Sequence, residues 1–130
     1  MSYLLIENDE DLKFLNGELL KKRVIGLDTE FRRTTKDNMR LALLQINDGE
    51  EIYLIDILKI NDETIINELI SSKKIIKVLH SCKEDIEAIY KWSGVVLNNI
   101  FDSQLAEAFL GKEFSISYQS LVFKNLDLHL

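Results

Sequence analysis

Apolar and polar positions change rhythm about half-way along the chain. In the first part, short apolar runs follow one another closely. Tyr3-Leu4-Leu5-Ile6 predicts a strand over 3–6. The spacing over 9–20 predicts a helix, with Asn8 placed to cap its first turn. Runs at 23–31, 40–46 and 52–56 read as three further strands, and Asn47-Asp48-Gly49-Glu50 between the last two is a hairpin signal. These strands are expected to be antiparallel neighbours.

Helical spacing dominates the second part. Ile65, Ile66, Leu69 and Ile70 predict a helix over 62–70, and Ile75 to His80 a strand. A helix over 83–92 carries Ile86, Ile89 and Tyr90; a short strand over 99–102 and a helix over 103–110 follow. Alternation of this kind implies parallel strands joined by helical crossovers. The expected fold class is therefore α/β, a ribonuclease-H-like mixed sheet in which an antiparallel meander precedes parallel α/β units. A plain doubly wound fold would alternate from the start.

Bulk properties narrow the class without naming a function. A chain of 130 residues forms one domain, 1–130, and buries roughly two-thirds of its unfolded surface. No apolar run approaches the ~18 residues of a membrane span, and the N-terminus lacks the basic start of a signal peptide. A single cysteine, Cys82, cannot close an internal disulfide, which fits a reducing cytoplasm; it reads as an ordinary thiol. The net charge of −6 argues against a protein that coats nucleic acid. A local basic cluster is nevertheless present: Lys21, Lys22, Arg23, Arg32, Arg33, Lys36 and Arg40 flank the 23–31 strand. Solvated surface charge is the other meaning of such a cluster.

Candidate chemistry centres on Val24-Ile25-Gly26-Leu27-Asp28-Thr29-Glu30-Phe31. Strand alternation puts Asp28 and Glu30 on one face and Thr29 on the other. Two such acids at the end of an apolar run repel each other, and a divalent cation relieves that repulsion; a strand running out into a polar turn is the plainer alternative. Asp85 falls in the first turn of the 83–92 helix, where the helix dipole alone would favour an acid. With the 23–31 strand central, Asp85 is expected across a cleft from Asp28 and Glu30, and three converging carboxylates meet the need of bound Mg²⁺ or Mn²⁺. His80 reads as a hydrogen-bonded structural histidine and Gln45 as a strand residue with a satisfied amide.

The segments Ile25–Phe31, Leu41–Ile46, Lys77–Ile86, Ile100–Ala106 and Ser117–Val122 together resemble ribonuclease D and its relatives in the DEDD exonuclease superfamily. The match runs in order over nearly the whole chain. The resemblance implies a metal-dependent 3′–5′ exonuclease that trims RNA, with tRNA precursors the usual substrate and single-stranded 3′ ends the recognised form. It implies two divalent cations, Mg²⁺ or Mn²⁺, about 4 Å apart, held by Asp28, Glu30 and Asp85. Phe31 would stack on the terminal base, with a buried strand aromatic as the alternative; Arg32, Arg33 and Arg40 would contact the backbone.

One family feature has no counterpart. The third motif there is a tyrosine followed four residues later by aspartate, whereas Tyr53, Tyr90 and Tyr118 are followed by Ile57, Gly94 and Val122, and Tyr3 by Glu7. The fold is accordingly expected to be C-terminally incomplete, lacking the helices that carry that motif, with Asp102, Asp127 or another chain as sources of a fourth ligand. Slow hydrolysis by the isolated chain follows from this expectation. Missing helices would bare Phe114, Ile116, Leu121, Val122, Phe123, Leu126 and Leu128, an apolar end suited to a homodimer. A catalytically silent relative that binds nucleic acid or protein is the second hypothesis. A phospho-receiver domain is the third, and the hairpin and the Asp-Thr-Glu placement oppose it.

Overall fold

A computed structural model describes residues 2–35, 38–111 and 116–126. The chain order is β1 (Tyr3–Ile6), α1 (Asp9–Leu19), β2 (Val24–Thr35), β3 (Asn38–Asn47), β4 (Ile52–Asp56), α2 (Asn67–Ser71), β5 (Ile76–Leu79), α3 (Lys83–Ser93), β6 (Ile100–Asp102), α4 (Ser103–Phe109) and α5 (Tyr118–Leu126). The strands form one six-stranded sheet in the order β1-β4-β3-β2-β5-β6. β2–β3 and β3–β4 pair antiparallel, while β2–β5 and β5–β6 pair parallel. This is the expected mixed sheet with β2 in its interior.

Local signals behave as their chemistry predicts. The Asn8 side chain accepts the backbone N–H of Asp11 at 2.8 Å and caps α1. In the β3–β4 hairpin, Asp48 accepts the N–H groups of Glu50 and Glu51, and Gly49 supplies the φ of +97° that the turn requires.

β2, β3 and α2 differ in extent from the sequence reading. β2 and β3 run on together, with Arg32 paired to Arg40 and Thr35 to Asn38; backbone pairing needs no apolar side chains, so this polar extension left no hydrophobic pattern to read. The helix expected over 62–70 is only Asn67–Ser71. Asp62 captures both the N–H and the hydroxyl of Thr64, and such a turn competes with helical hydrogen bonding. β1 pairs parallel with β4 at the sheet edge, a long-range pairing that its four residues do not announce.

The sheet has two unlike faces. On the inner face, Ile25, Leu44, Ile46 and Ile55 are buried in one cluster with Leu12, Leu15 and Leu19 of α1, Leu69 and Ile70 of α2, and Ala88 and Ile89 of α3. Each such leucine or isoleucine contributes about 1.5–3 kcal/mol through removal from water. Lys77 lies among them, fully buried, and donates from Nζ to the Ser72 carbonyl at 2.6 Å; burial pulls its pKa down to about 8. The outer face carries Gly26, Asp28, Gln45, Asn47 and Val78, which are register partners across β2, β3 and β5. It is the face left open for chemistry.

Candidate active site

β2 delivers the first two acids by simple alternation. Asp28 opposes Gln45 and Glu30 opposes Leu43 across the β2–β3 ladder. Both carboxylates are exposed on the outer face, and neither is ion-paired among the described residues. One Asp28 oxygen accepts the backbone N–H of Thr29 at 2.9 Å. A bulge follows, since Glu30 pairs with Leu43 but Phe31 with Leu41. It adds twist where the acids leave the sheet.

Asp85 reaches the strand from the other side. It is buried in the first turn of α3, and the Thr29 hydroxyl donates to its Oδ1. Burial pushes its carboxyl pKa up; the Thr29 hydroxyl opposes that shift, and the negative charge of Asp28 adds to it. Asp28 and Asp85 are therefore electrostatically coupled around β2. Among the described residues, no three His, Cys, Asp or Glu side chains stand close enough together to hold a metal ion. The sequence reading put all three acids in one cleft. In the structure, the hydroxyl of Thr29, which alternation turns inward, holds Asp85, while Asp28 is near enough to raise its pKa.

Asp102 organises the turn that aims α3. Its Oδ1 accepts the N–H of Ser81 at 2.9 Å and of Gln104 at 2.8 Å, and its Oδ2 accepts the N–H of Cys82 at 2.8 Å. Burial disfavours the charge, yet these backbone donors outweigh it and hold the pKa at about 2. Ser81 sits in the left-handed region at φ +59°, a conformation that a serine adopts only when its surroundings fix it. With both oxygens committed to backbone, Asp102 is an anchor and a poor stand-in for a fourth metal ligand. Asp127 lies outside the described residues. Cys82 is buried, and burial together with Asp102 pushes its thiol up to about 11, which makes it inert.

A cavity of about 290 Å³ opens on the outer face, lined by Asp28, Gln45, Asn47, His80, Ser103 and Tyr118 among others. Gln45 thus faces the site as well as the strand. His80 is the hydrogen-bonded histidine expected, although β5 ends one residue before it. Asn47, Ser103 and Tyr118 escaped the sequence reading, as did the role of Thr29. Strand parity would have found Asn47, which shares the face of Asp28; Tyr118 arrives from a distant segment and gives no such signal.

The four candidate nucleic-acid contacts divide by face. Phe31 is half-buried against the core on the inner side, because odd positions of β2 turn inward. Arg33 shares that parity and pairs with Glu87 of α3 at 3.4 Å. Arg32 and Arg40 are cross-strand partners, exposed on the face that carries Asp28 and Glu30. Lys36 lies outside the described residues.

A family model described as a 3′–5′ exonuclease matches residues 3–130. The chain belongs to this 3′–5′ exonuclease family. Among relatives, ribonuclease D of Pseudomonas paraeruginosa is 36% identical over 125 residues, covering 96% of this chain and 33% of that protein. Ribonuclease D of Desulfotalea psychrophila is 37% identical over 128 residues, covering 97% and 34%. The crystal structure of Escherichia coli RNase D, described as an exoribonuclease involved in structured RNA processing, superposes with a TM-score of 0.93. It is 33% identical, over 100% of this chain and 35% of that one. Trypanosoma brucei RNase D in complex with RNA U12 shares the exonuclease fold at 21% identity and a TM-score of 0.87, over 99% of this chain and 48% of that one. The chain spans about a third of the length of the curated relatives it matches.

At the C-terminal end, Ile116 is buried, Leu121 and Val122 are half-buried, and Phe123 and Leu126 are exposed. Phe114 and Leu128 lie outside the described residues. The expected apolar end is thus partly closed, because the Ile116 carbonyl is held by His80 and Gln104. Among the described residues, no helix is long and apolar enough to cross a membrane.

Proposed function

We propose that this chain carries the 3′–5′ exonuclease centre of an RNA-trimming enzyme, working on single-stranded 3′ ends such as those of tRNA precursors, in the cytoplasm. The observation that carries the reading is the exposed Asp28–Glu30 row on the cavity face, coupled to Asp85 across β2. Carboxylate oxygens are hard donors that suit Mg²⁺ or Mn²⁺, so the donor chemistry fits the family's ions: Asp28 and Glu30 would hold them, and Asp85 would join on turning from the Thr29 hydroxyl. Bound there, divalent cations supply an activated water and neutralise charge on the leaving 3′ oxygen. Arg32 and Arg40 stand beside Glu30 and offer two cations to the phosphates next to the scissile one. A cavity at the lower end of ligand-pocket size admits a chain end more readily than a duplex.

The test is incubation of 5′-labelled single-stranded RNA with the chain and Mn²⁺. Shortening from the 3′ end, stopped by EDTA, is expected; internal cuts, or shortening indifferent to EDTA, would overturn the assignment. One observation favours a second reading, a nucleic-acid-binding relative without hydrolysis: no three acids are close enough to share a metal among the described residues. RNA retained in a gel shift with no shortening would select it. The reading also includes self-association through the exposed Phe109, Phe123 and Leu126. Light scattering is expected to give twice the 15.1 kDa chain mass at high concentration, and a strict monomer would remove this element alone.

A further inference from the structure

Three elements are locked together at the cavity wall by one ring. His80 Nε2 donates to the Ile116 carbonyl at 2.8 Å, and Nδ1 meets the Ser103 hydroxyl at 2.9 Å. The Nε2 tautomer follows from the partner, since a carbonyl can only accept. Gln104 Nε2 adds a second donor to the same carbonyl at 3.0 Å, and the Ser103 hydroxyl also lies 3.2 Å from the Leu79 carbonyl. The Tyr118 and His80 rings meet edge to face, with centroids 5.6 Å apart and planes at 66°. β5, α4 and the start of α5 are thereby fixed around the opening that Asp28 also lines.

Tyr118 is an unusual residue to hold so firmly. The residue is 57% exposed and α5 contributes no buried residue, so core packing does not explain its placement. Its hydroxyl has no hydrogen-bond partner among the described residues. An aromatic ring fixed at a cavity wall that Asp28 also lines is a surface on which a nucleobase stacks, and every base offers a π-face.

We propose that Tyr118 is the stacking platform for the base of the 3′-terminal nucleoside and that His80 is its positioning residue. This rests on the exonuclease reading and adds the group that receives the base. The ring borders the cavity, and its edge-to-face contact with the imidazole fixes its plane there. Without His80, the Ile116–Tyr118 segment loses its tie to β5 and the platform moves. Tyr118 then stacks poorly although it is still present.

The experiment measures calorimetric binding of AMP and of ribose 5-phosphate, which lacks the base, to the whole chain with Mn²⁺. Tyr118→Ala is expected to weaken AMP about tenfold, in line with the loss of one base–aromatic stack, and to leave ribose 5-phosphate unchanged. Tyr118→Phe keeps wild-type affinity. His80→Ala gives a loss similar to that of Tyr118→Ala, and the double variant loses no more than either single one. If His80→Ala melts below the assay temperature, Ser103→Ala replaces it and is expected to weaken AMP alone. Equal losses of AMP and ribose 5-phosphate, additive losses in the double variant, or wild-type AMP affinity in Tyr118→Ala would each overturn the proposal. So would failure of the unsubstituted chain to bind AMP. RNA shortening by the unsubstituted chain separates the two levels: shortening with AMP binding indifferent to Tyr118 sinks the platform alone, whereas no shortening sinks the exonuclease reading as well.

Discussion

Asp28→Asn and Asp85→Asn are each expected to slow Mn²⁺-dependent RNA trimming by about a thousandfold or more, while raising the melting temperature of the metal-free chain. A thousandfold loss corresponds to roughly 4 kcal/mol of transition-state stabilisation, within the range that a metal-positioning carboxylate supplies. The stability gain follows from Asp85. Its folded pKa is raised, first by burial and further by Asp28, against the Thr29 hydroxyl, so the ionised form is disfavoured in the folded state. The sign is therefore that this group favours folding most when protonated, and the contribution is lost as pH rises through the raised pKa. Asparagine is neutral at every pH and can still accept from Thr29. A gain of about 1 kcal/mol, or some 3–5 °C, is expected at neutral pH in EDTA, and it should vanish when the comparison is repeated well below the carboxylate range. Asp28 is exposed, so its substitution should give a smaller gain. Unchanged melting temperatures together with unchanged trimming would show that these acids neither repel one another nor serve the reaction.

What the sequence disclosed and what it withheld divide along the range of the interactions. Alternation in β2 is local: it put Asp28 and Glu30 together and Thr29 opposite, as the structure has it. The Asn8 cap, the Asp48 hairpin and the helix that carries Asp85 are equally local and equally legible. The 62–70 helix shows a local signal overruled by a stronger one, because the capture of Thr64 by Asp62 outcompetes helical spacing. Parity read further along β2 would have turned Phe31 and Arg33 toward α3 and left Arg32 and Arg40 on the active face. Other features depend on contacts between distant segments: the pairing of β1 with β4, the Thr29–Asp85 bond, and the arrival of Tyr118 beside His80. Composition and spacing carry no record of those. The family resemblance implied the chemistry of the acids, yet the hold of Thr29 on Asp85 comes from tertiary packing alone.

Asp102→Ala is expected to produce the largest loss of stability, about 3 kcal/mol, with a fall in melting temperature near 10 °C. The carboxylate accepts four backbone N–H groups: those of Ser81, Cys82, Gln104 and, at 3.3 Å, Leu105. Two of these are the first-turn donors of α4, and losing such a cap costs about 1 kcal/mol. The others lie at the turn into α3, where the Cys82 N–H bond is buried; an orphaned buried donor costs a further 1–3 kcal/mol. Asp102→Asn should fall between, since its amide nitrogen cannot accept from Cys82. The pH dependence is fixed by the folded pKa of about 2. A depressed carboxylate pKa gives stability that is present above the ordinary carboxylate range and lost as pH falls from about 4 to about 2. The wild-type acid limb over that window should therefore be steep and that of Asp102→Ala shallower. The Cys82 thiol provides an independent readout. Burial and Asp102 together hold its pKa up to about 11, so removing the carboxylate should speed its reaction with a disulfide reagent at neutral pH. Because Ser81 at φ +59° depends on the same clamp, the start of α3 would relax and carry Asp85 with it, so Mn²⁺ affinity should fall even though no proposed ligand was touched. A variant that melts within 2 °C of wild type and keeps the same acid slope would show that the turn into α3 holds itself, and that Asp102 merely decorates it.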